Sequence, residues 1–321
     1  MPSESPKPRV LCIVGPTASG KSELAQVVAE RHGGEVVSAD SMQVYRGMDV
    51  GTGKVAPSDR RVAHHCLDLV EPGAAYSASL FQVDARRALV DVSSRGLLPV
   101  LCGGTGFYVR AAVDDYRFPE GEQVGNPVRD KYLAMADELG PQAVWEELDR
   151  IDPRSAAVVH PNNVKRVVRA LEMAASGVSY ADQVEALKAI PPYFPVAMVG
   201  LSVEREVLYG RINDRVDEMV RNGLVGEVDE LLGRGYRDGL TAQQAIGYKE
   251  IVDYLDGSCT LSESVERIKM ATRRYAKRQI SWFRGDPRVR WLDATDYDAG
   301  RLADQAWEIW EGSDGPSKGE A

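Results

Sequence analysis

The sequence predicts an α/β fold, a parallel sheet flanked by helices and carrying a helical insertion. Three observations predict it. Short apolar runs alternate with helical stretches over about the first hundred residues, a pattern that builds parallel sheets covered by helices. A glycine-rich loop joins the first apolar run to the first helical stretch. A charge-rich, helical stretch from about residue 120 to 195 then interrupts the alternation.

The elements follow in order. Val10–Val14 reads as a strand. Gly15-Pro16-Thr17-Ala18-Ser19-Gly20-Lys21-Ser22 fits the phosphate-cradling pattern G-x-x-x-x-G-K-[ST] without a mismatch. Ser22–Arg31 reads as the helix that such a loop opens. Backbone N–H groups and the helix dipole at that start favour an anion. Lys21 adds a mobile positive charge, and the Ser22 hydroxyl can hold Mg²⁺ against phosphates. A second strand, Glu35–Ala39, ends at Asp40. A helix over Ser79–Ser94 precedes a third strand, Leu98–Cys102, which ends in Gly103-Gly104-Thr105-Gly106. Ligands of open parallel sheets sit beyond the carboxyl ends of strands, so three segments converge on one rim.

The helical stretch closes with Pro191-Pro192-Tyr193-Phe194-Pro195, and Val196–Leu201 resumes the core as a strand. From Glu204 to Leu232, Leu208, Ile212, Val216, Met219, Val220, Leu224, Val228 and Leu231 recur at helical spacing. Helical pattern returns over Ser262–Phe283, and Asp314–Ala321 reads as a frayed tail. The predicted divisions are a first part of the core at 1–119, an insertion at 120–195, core completion with basic helices at 196–292, and an acidic tail at 293–321.

Composition narrows the class. The chain has 321 residues, 44% hydrophobic and 27% charged, ordinary for a globular protein. Four widely spaced cysteines without a C-x-x-C indicate neither a zinc site nor a disulfide framework, and suit a reducing cytosol. No signal peptide or membrane-length apolar run is present, so the expected location is the cytoplasm. Net charge is −9. Yet nine Lys and Arg residues between Arg267 and Arg290 share their segment with one acid, Asp286. Such a stripe is either a polyanion contact or a solvated helix face.

Several residues could carry chemistry. Asp40 could contact Mg²⁺, serve as general base for an acceptor facing the phosphate, or cap its own turn. Gly103–Gly106 is either a tight turn or a close approach to ligand, with Thr105 offering a hydroxyl. Arg211 and Arg215, one helical turn apart, could neutralise charge on a leaving group or decorate a surface helix. His64-His65 read as structural or as support behind the residues of a site, since adjacent strand residues point apart and do not easily chelate one metal. Trp282-Phe283 could stack on a base or pack at a helix end.

Taken with these, a set of motifs in order is specific. Gly15–Ser22 is followed by Asp40-Ser41-Met42-Gln43-Val44-Tyr45-Arg46-Gly47-Met48-Asp49-Val50-Gly51-Thr52-Gly53-Lys54. His64–Asp68, Gly103–Tyr108, His160-Pro161-Asn162, Arg169–Glu172, Ala245–Glu250 and Ala276–Arg284 come after it. The chain resembles the bacterial tRNA dimethylallyltransferase family from about Val10 to Leu292. The resemblance implies a P-loop NTPase-like core whose helical insertion holds the tRNA anticodon stem-loop. It implies dimethylallyl diphosphate as donor, bound at Gly15–Ser22 with Mg²⁺, and N6 of the adenosine 3′ to the anticodon as acceptor, in tRNAs reading UNN codons. Asp40 matches the family's general base. Thr17 and Arg215 match its pyrophosphate contacts, and Thr105 a tRNA-contacting threonine. Asp40, Ser41, Met42 and Gln43, Arg129, Lys165, Arg166, Val167, Val168 and Arg169, and Gln244, Ala245, Ile246, Gly247, Tyr248 and Lys249 align with tRNA contacts. The expected particle is a monomer without membrane association. One departure is Asn162-Asn163, where the family commonly has Asn-Asp after His-Pro.

The chemistry agrees with that implication. An adenine amine is a poor nucleophile, and a carboxylate taking its proton as the C–N bond forms would accelerate transfer. Other readings of the same residues are a small-molecule kinase, an adenylate isopentenyltransferase acting on free nucleotide, and an RNA-binding module with a relict P-loop. The insertion and the basic stripe weigh against the first two, and Lys21, Ser22 and Asp40 against the third.

Overall fold

The computed structural model describes residues 7–118, 126–186, 190–239 and 241–313. The chain divides into two compact units. One comprises Met1–Asp114 with Pro192–Ala321, and the other Asp115–Pro191.

The first unit is the α/β body. It begins with β1 (Val10–Val14), α1 (Lys21–Arg31), β2 (Gly34–Ser38), β3 (His64–His65), α2 (Ala78–Ser94), β4 (Leu98–Gly103) and α3 (Gly106–Val113). The second unit supplies α4 (Pro127–Leu139), α5 (Pro141–Ile151), α6 (Pro153–Val158), α7 (Val164–Ala175) and α8 (Tyr180–Ala186). The first unit then resumes with β5 (Val196–Ser202), α9 (Arg205–Arg221), α10 (Leu224–Leu232), α11 (Tyr248–Leu255), α12 (Leu261–Arg284), β6 (Val289–Asp293) and α13 (Ala299–Gly312).

The six strands form one sheet in the order β3-β2-β4-β1-β5-β6, and every pairing is parallel. All five residues of β1 are fully buried, because side chains alternate between two covered faces. Leu11 and Ile13 pack with Leu24 and Val28 of α1 and with Leu302 and Ala306 of α13. Val10, Cys12 and Val14 belong to the opposite layer, with Phe81, Val109 and Ile268. The chain fills one side of β1 through β4, then crosses to the other side at β5. The loop after β1 therefore lies at the switch point where parallel sheets bind ligands.

The strand expectations hold to within one residue at each end. Three boundaries differ. The apolar periodicity over 204–232 is broken into α9 and α10 at Gly223, whose φ of 98° ends one helix and starts the next. The stretch expected as an acidic tail from 293 instead carries α13, with Leu302 and Ala306 fully buried and Ala303 1% exposed. Asp314–Ala321 lies outside the described residues. The insertion begins and ends earlier than 120–195. Asp114 and Pro192 form an antiparallel bridge, and the Tyr193 amide donates to the Val113 carbonyl at 2.8 Å. Phe194, 1% exposed, then joins the α/β core.

The second unit has its own core. Val167, Val168, Ala170 and Leu171 of α7 pack with Tyr132, Val144 and Leu148. Three of its helices start on side-chain caps: Asn126 Oδ1 accepts from the Val128 amide at 3.0 Å, and Asp152 Oδ1 from Ser155 at 3.1 Å. Asn163, the departure from the family pattern, caps α7 by accepting from the Arg166 amide at 3.4 Å. Asn and Asp serve about equally at an N-cap, so the departure leaves the local fold intact.

Candidate active site

The phosphate loop has the backbone that its sequence demands. Gly20 is the N-cap of α1 with φ 89°, and no side chain caps the helix. Its first N–H groups are thus left to an external anion. A side chain at Gly20 would also be blocked, since a Cβ there would lie 2.2 Å from the Tyr297 ring. Tyr297 donates its hydroxyl to the Gly20 carbonyl at 3.0 Å. Ala18 sits at φ 60°, an unusual value for a residue with a side chain. Ser19 Oγ is buried without a hydrogen-bond partner. An unpaired buried hydroxyl is costly unless a ligand or water serves it.

Asp40 follows β2 and faces this loop across the rim. One of its oxygens, Oδ1, accepts from the Met42 amide at 2.9 Å. The capping role is therefore real, and it leaves Oδ2 for other work. Beside it, the Ser41 amide donates to Thr105 Oγ1 at 3.1 Å. Gln279, from the C-terminal part of the basic helix α12, joins two of the loops. Its Oε1 accepts from the Thr17 amide at 2.9 Å, and its Nε2 donates to the Gly104 carbonyl at 2.9 Å. A Cβ at Gly104 would lie 2.2 Å from that Nε2, so the glycine-rich turn after β4 makes room for Gln279.

Arg215 of α9 completes the ring of charge. Its Nη2 donates to the Thr52 carbonyl at 3.2 Å, and its Nε is buried without a partner. Burial lowers its pKa, against the opposing pull of Asp40. Desolvation, with a smaller contribution from Arg215, likewise lowers the Lys21 ammonium, whose Nζ donates to the Pro16 carbonyl at 3.1 Å. Two cations held in poor solvation beside an open helix start are poised for a polyanion. Tyr275 also lines the site, and burial together with Asp40 pushes its phenol up to about 12.

These groups line one cavity of about 540 Å³, within the usual range for small-molecule sites. Thr17, Lys21, Ser22, Asp40 and Arg215 form its polar wall, and Val216, Met219, Ile268 and Ala271 an apolar one. Among the described residues no three His, Cys, Asp or Glu side chains gather as a metal site. Ser22 and Asp40 nevertheless suit Mg²⁺, which takes one or two protein oxygens and completes its shell with phosphate oxygens and water.

Of the residues expected at the site, Thr17, Lys21, Ser22, Asp40–Gln43, Arg215 and Gln244–Lys249 all line this cavity. Thr105 stands behind Ser41, bonded to it. Arg211 does not join: it donates to the carbonyls of Ala294 (3.0 Å) and Thr295 (2.6 Å), tying α9 to the chain after β6. His65 pairs with Glu35 at 2.7 Å, a structural role. Of Trp282-Phe283, Phe283 is core and Trp282 is 43% exposed. Arg129 and Lys165–Arg169 belong to the second unit. Lys165 and Arg166 are exposed there, while Arg129 and Arg169 pair with the buried Glu172 at 3.0 and 3.1 Å. Val167 and Val168 offer no side chain to a ligand. They are 0% and 3% exposed, and their side chains pack the core of that unit.

Sequence reasoning gave no site role to Tyr275, and none to Gln279 or to the loop over Asp49–Gly53 although both fell inside quoted motifs. The signal for the loop was glycine spacing: a Cβ at Gly51 would strike the Tyr248 ring at 2.5 Å, and one at Gly53 would strike Arg215 Nη2 at 1.9 Å.

Comparison with known proteins bears on this site. The family model described as IPP transferase matches residues 43–286, and one described as isopentenyl transferase matches residues 8–64. A tRNA dimethylallyltransferase of Geobacillus thermodenitrificans is 47% identical over 290 residues, covering 90% of this chain and 91% of the relative. One from Carboxydothermus hydrogenoformans is 45% identical over 289 residues, covering 89% and 92%. The crystal structure of a tRNA isopentenylpyrophosphate transferase from Bacillus halodurans superposes with a TM-score of 0.69 at 41% identity, covering 95% of this chain and 96% of that one. A eukaryotic dimethylallyltransferase acting on tRNA gives a TM-score of 0.79 at 29% identity, covering 97% and 81%.

Proposed function

The chain belongs to the IPP transferase family, and from that premise we propose how its cavity performs the family's reaction. The enzyme transfers a dimethylallyl group to tRNA, at the adenosine just 3′ of the anticodon. In this reading dimethylallyl diphosphate is the donor, N6 of the adenine is the acceptor, and tRNAs reading codons that begin with U are the substrates. The enzyme works as a monomer in the cytoplasm.

The observation that carries the mechanism is the make-up of one cavity. It holds two poorly solvated cations, a carboxylate and an apolar wall together. The loop amides, Lys21 and Arg215 bind the diphosphate, with Thr17 at its edge. The apolar wall takes the prenyl chain and keeps water from the allylic carbon. Asp40, held by the Met42 amide through Oδ1, accepts the N6 proton on its other oxygen. The nitrogen lone pair forms the C–N bond as the allylic C–O bond breaks, and the electron pair leaves on diphosphate. Fixed positive charge where the leaving group develops is the largest expected source of rate. Ser22 would hold Mg²⁺, which supplies further neutralisation of the diphosphate. The target base must leave its stack, which an anticodon loop permits more cheaply than a duplex. Residues Ser41–Gln43 and Gln244–Lys249 border the cavity where that base would enter.

Diphosphate release tests this reading. It should require dimethylallyl diphosphate and tRNA together, one diphosphate per prenylated tRNA. Phosphoryl transfer from ATP to a small acceptor, with tRNA irrelevant, would overturn it.

A further inference from the structure

Glu227 of α10 lies outside the cavity lining, yet it holds together two pieces of its wall. Its Oε2 accepts from the amides of Asp49 (3.0 Å) and Val50 (2.7 Å), and its Oε1 from the amide of Gly51 (3.1 Å) and the hydroxyl of Tyr248 (2.6 Å). Three successive backbone N–H groups converging on one anion form a nest, here filled by a carboxylate of the same chain. Charge-assisted bonds of this kind are the strong ones. Buried Lys54 secures the far end of the same loop, with its Nζ 2.6 Å from Asp68 and 3.0 Å from the Tyr45 carbonyl.

The next residue along the loop, Thr52, presents its carbonyl to Arg215. Arg215 has no carboxylate partner among its hydrogen bonds, and its Nε is unpaired. The Thr52 carbonyl therefore sets where the guanidinium points. The bare Cα of Gly53, 1.9 Å short of Nη2 for any Cβ, gives it the space. Gln43 Nε2 reaches the same carbonyl at 3.4 Å.

We propose that Glu227 is a positioning residue for the diphosphate subsite: by capturing the 49–51 amides it fixes the Thr52 carbonyl, and so aims Arg215 at the leaving group. This deepens the transferase reading and rests on it for the identity of the leaving group. It predicts that Glu227 acts on diphosphate through Arg215 and through nothing else.

A double-mutant cycle on the full chain decides it, with inorganic pyrophosphate as the probe and calorimetric affinity as the readout. Glu227→Gln should weaken pyrophosphate binding about tenfold, the scale of one charge-assisted bond lost or misdirected. Arg215→Ala should weaken it at least as much. In the Arg215→Ala background, Glu227→Gln should change affinity less than about twofold. Losses that multiply in the double variant, or unchanged affinity in Glu227→Gln, overturn the proposal. Gly53→Ala disturbs Arg215 from the other side without touching Glu227, and should show the same non-additivity with Arg215→Ala. If Glu227→Gln fails to fold, Glu227→Asp, which shortens the reach to the 49–51 amides, takes its place in the cycle with the same expectation. Pyrophosphate binding that follows this pattern in a protein that prenylates no tRNA would instead remove the transferase reading and leave the positioning role standing.

Discussion

Asp40 carries the heaviest chemical claim of any single residue. Asp40→Asn preserves the oxygen that accepts from the Met42 amide, so the turn should survive while the base is lost. Single-turnover transfer should fall about 10²–10⁴-fold, with tRNA affinity retained. A near-normal rate would take Asp40 out of the base role. A second residue-scale prediction concerns acid stability. The Glu35 carboxylate is held down to about 2, first by its hydrogen bond to Arg95 and then by His65. A carboxylate depressed on folding stabilises the fold above its ordinary value near 4.5 and loses that contribution as pH falls towards 2. Glu35→Gln should therefore lower the melting temperature at neutral pH and flatten its fall between those limits. An unchanged acid limb would contradict the assignment. At this scale the sequence was most legible where chemistry is local. Gly15–Ser22 and Asp40 lie next to strands that any apolar run betrays. Gln279 and Glu227 were not legible, because their partners at Thr17 and at Asp49–Gly51 lie far away in the chain and leave no periodic mark.

Elements were read well where burial imposes a period. β1 and α12 fall within one residue of expectation, since one is buried on both faces and the other begins on the Thr260 capping box. The end of the chain was misread because its acids dominate the composition. The small apolar residues of α13, Leu302, Ala303 and Ala306, occupy only a narrow stripe. Periodicity also ran across the α9–α10 junction, where one glycine in the left-handed region ends one helix and opens the next. Leu302 is fully buried between α13 and α1, so Leu302→Ala should cost about 3 kcal/mol, read as a lower denaturant midpoint. A loss below the level of a surface substitution would mean that α13 is the loose tail its acids suggest. Just before α13, Tyr297 also reaches the Gly20 carbonyl, so truncation before Tyr297 should weaken pyrophosphate binding as well as stability.

At the level of the whole molecule, the chain enters and leaves the insertion at adjacent points, Asp114 and Pro192. Each unit has a core of its own, the condition for folding separately. Replacing 115–191 by a short linker should leave a folded α/β unit that still binds pyrophosphate and has lost most of its affinity for tRNA. The exposed Lys165 and Arg166 belong to the removed segment. Retained tRNA affinity would shift recognition to the basic face of α12. No helix among the described residues is long and apolar enough to cross a membrane. The central claim is that one cavity joins a prenyl diphosphate to a tRNA adenine, and label transfer tests it most directly. Unmodified tRNA reading a codon that begins with U, its variant with guanosine 3′ to the anticodon, and free AMP are each incubated with Mg²⁺ and radiolabelled dimethylallyl diphosphate. Label should enter the first alone. Label in AMP with none in either tRNA would contradict the account.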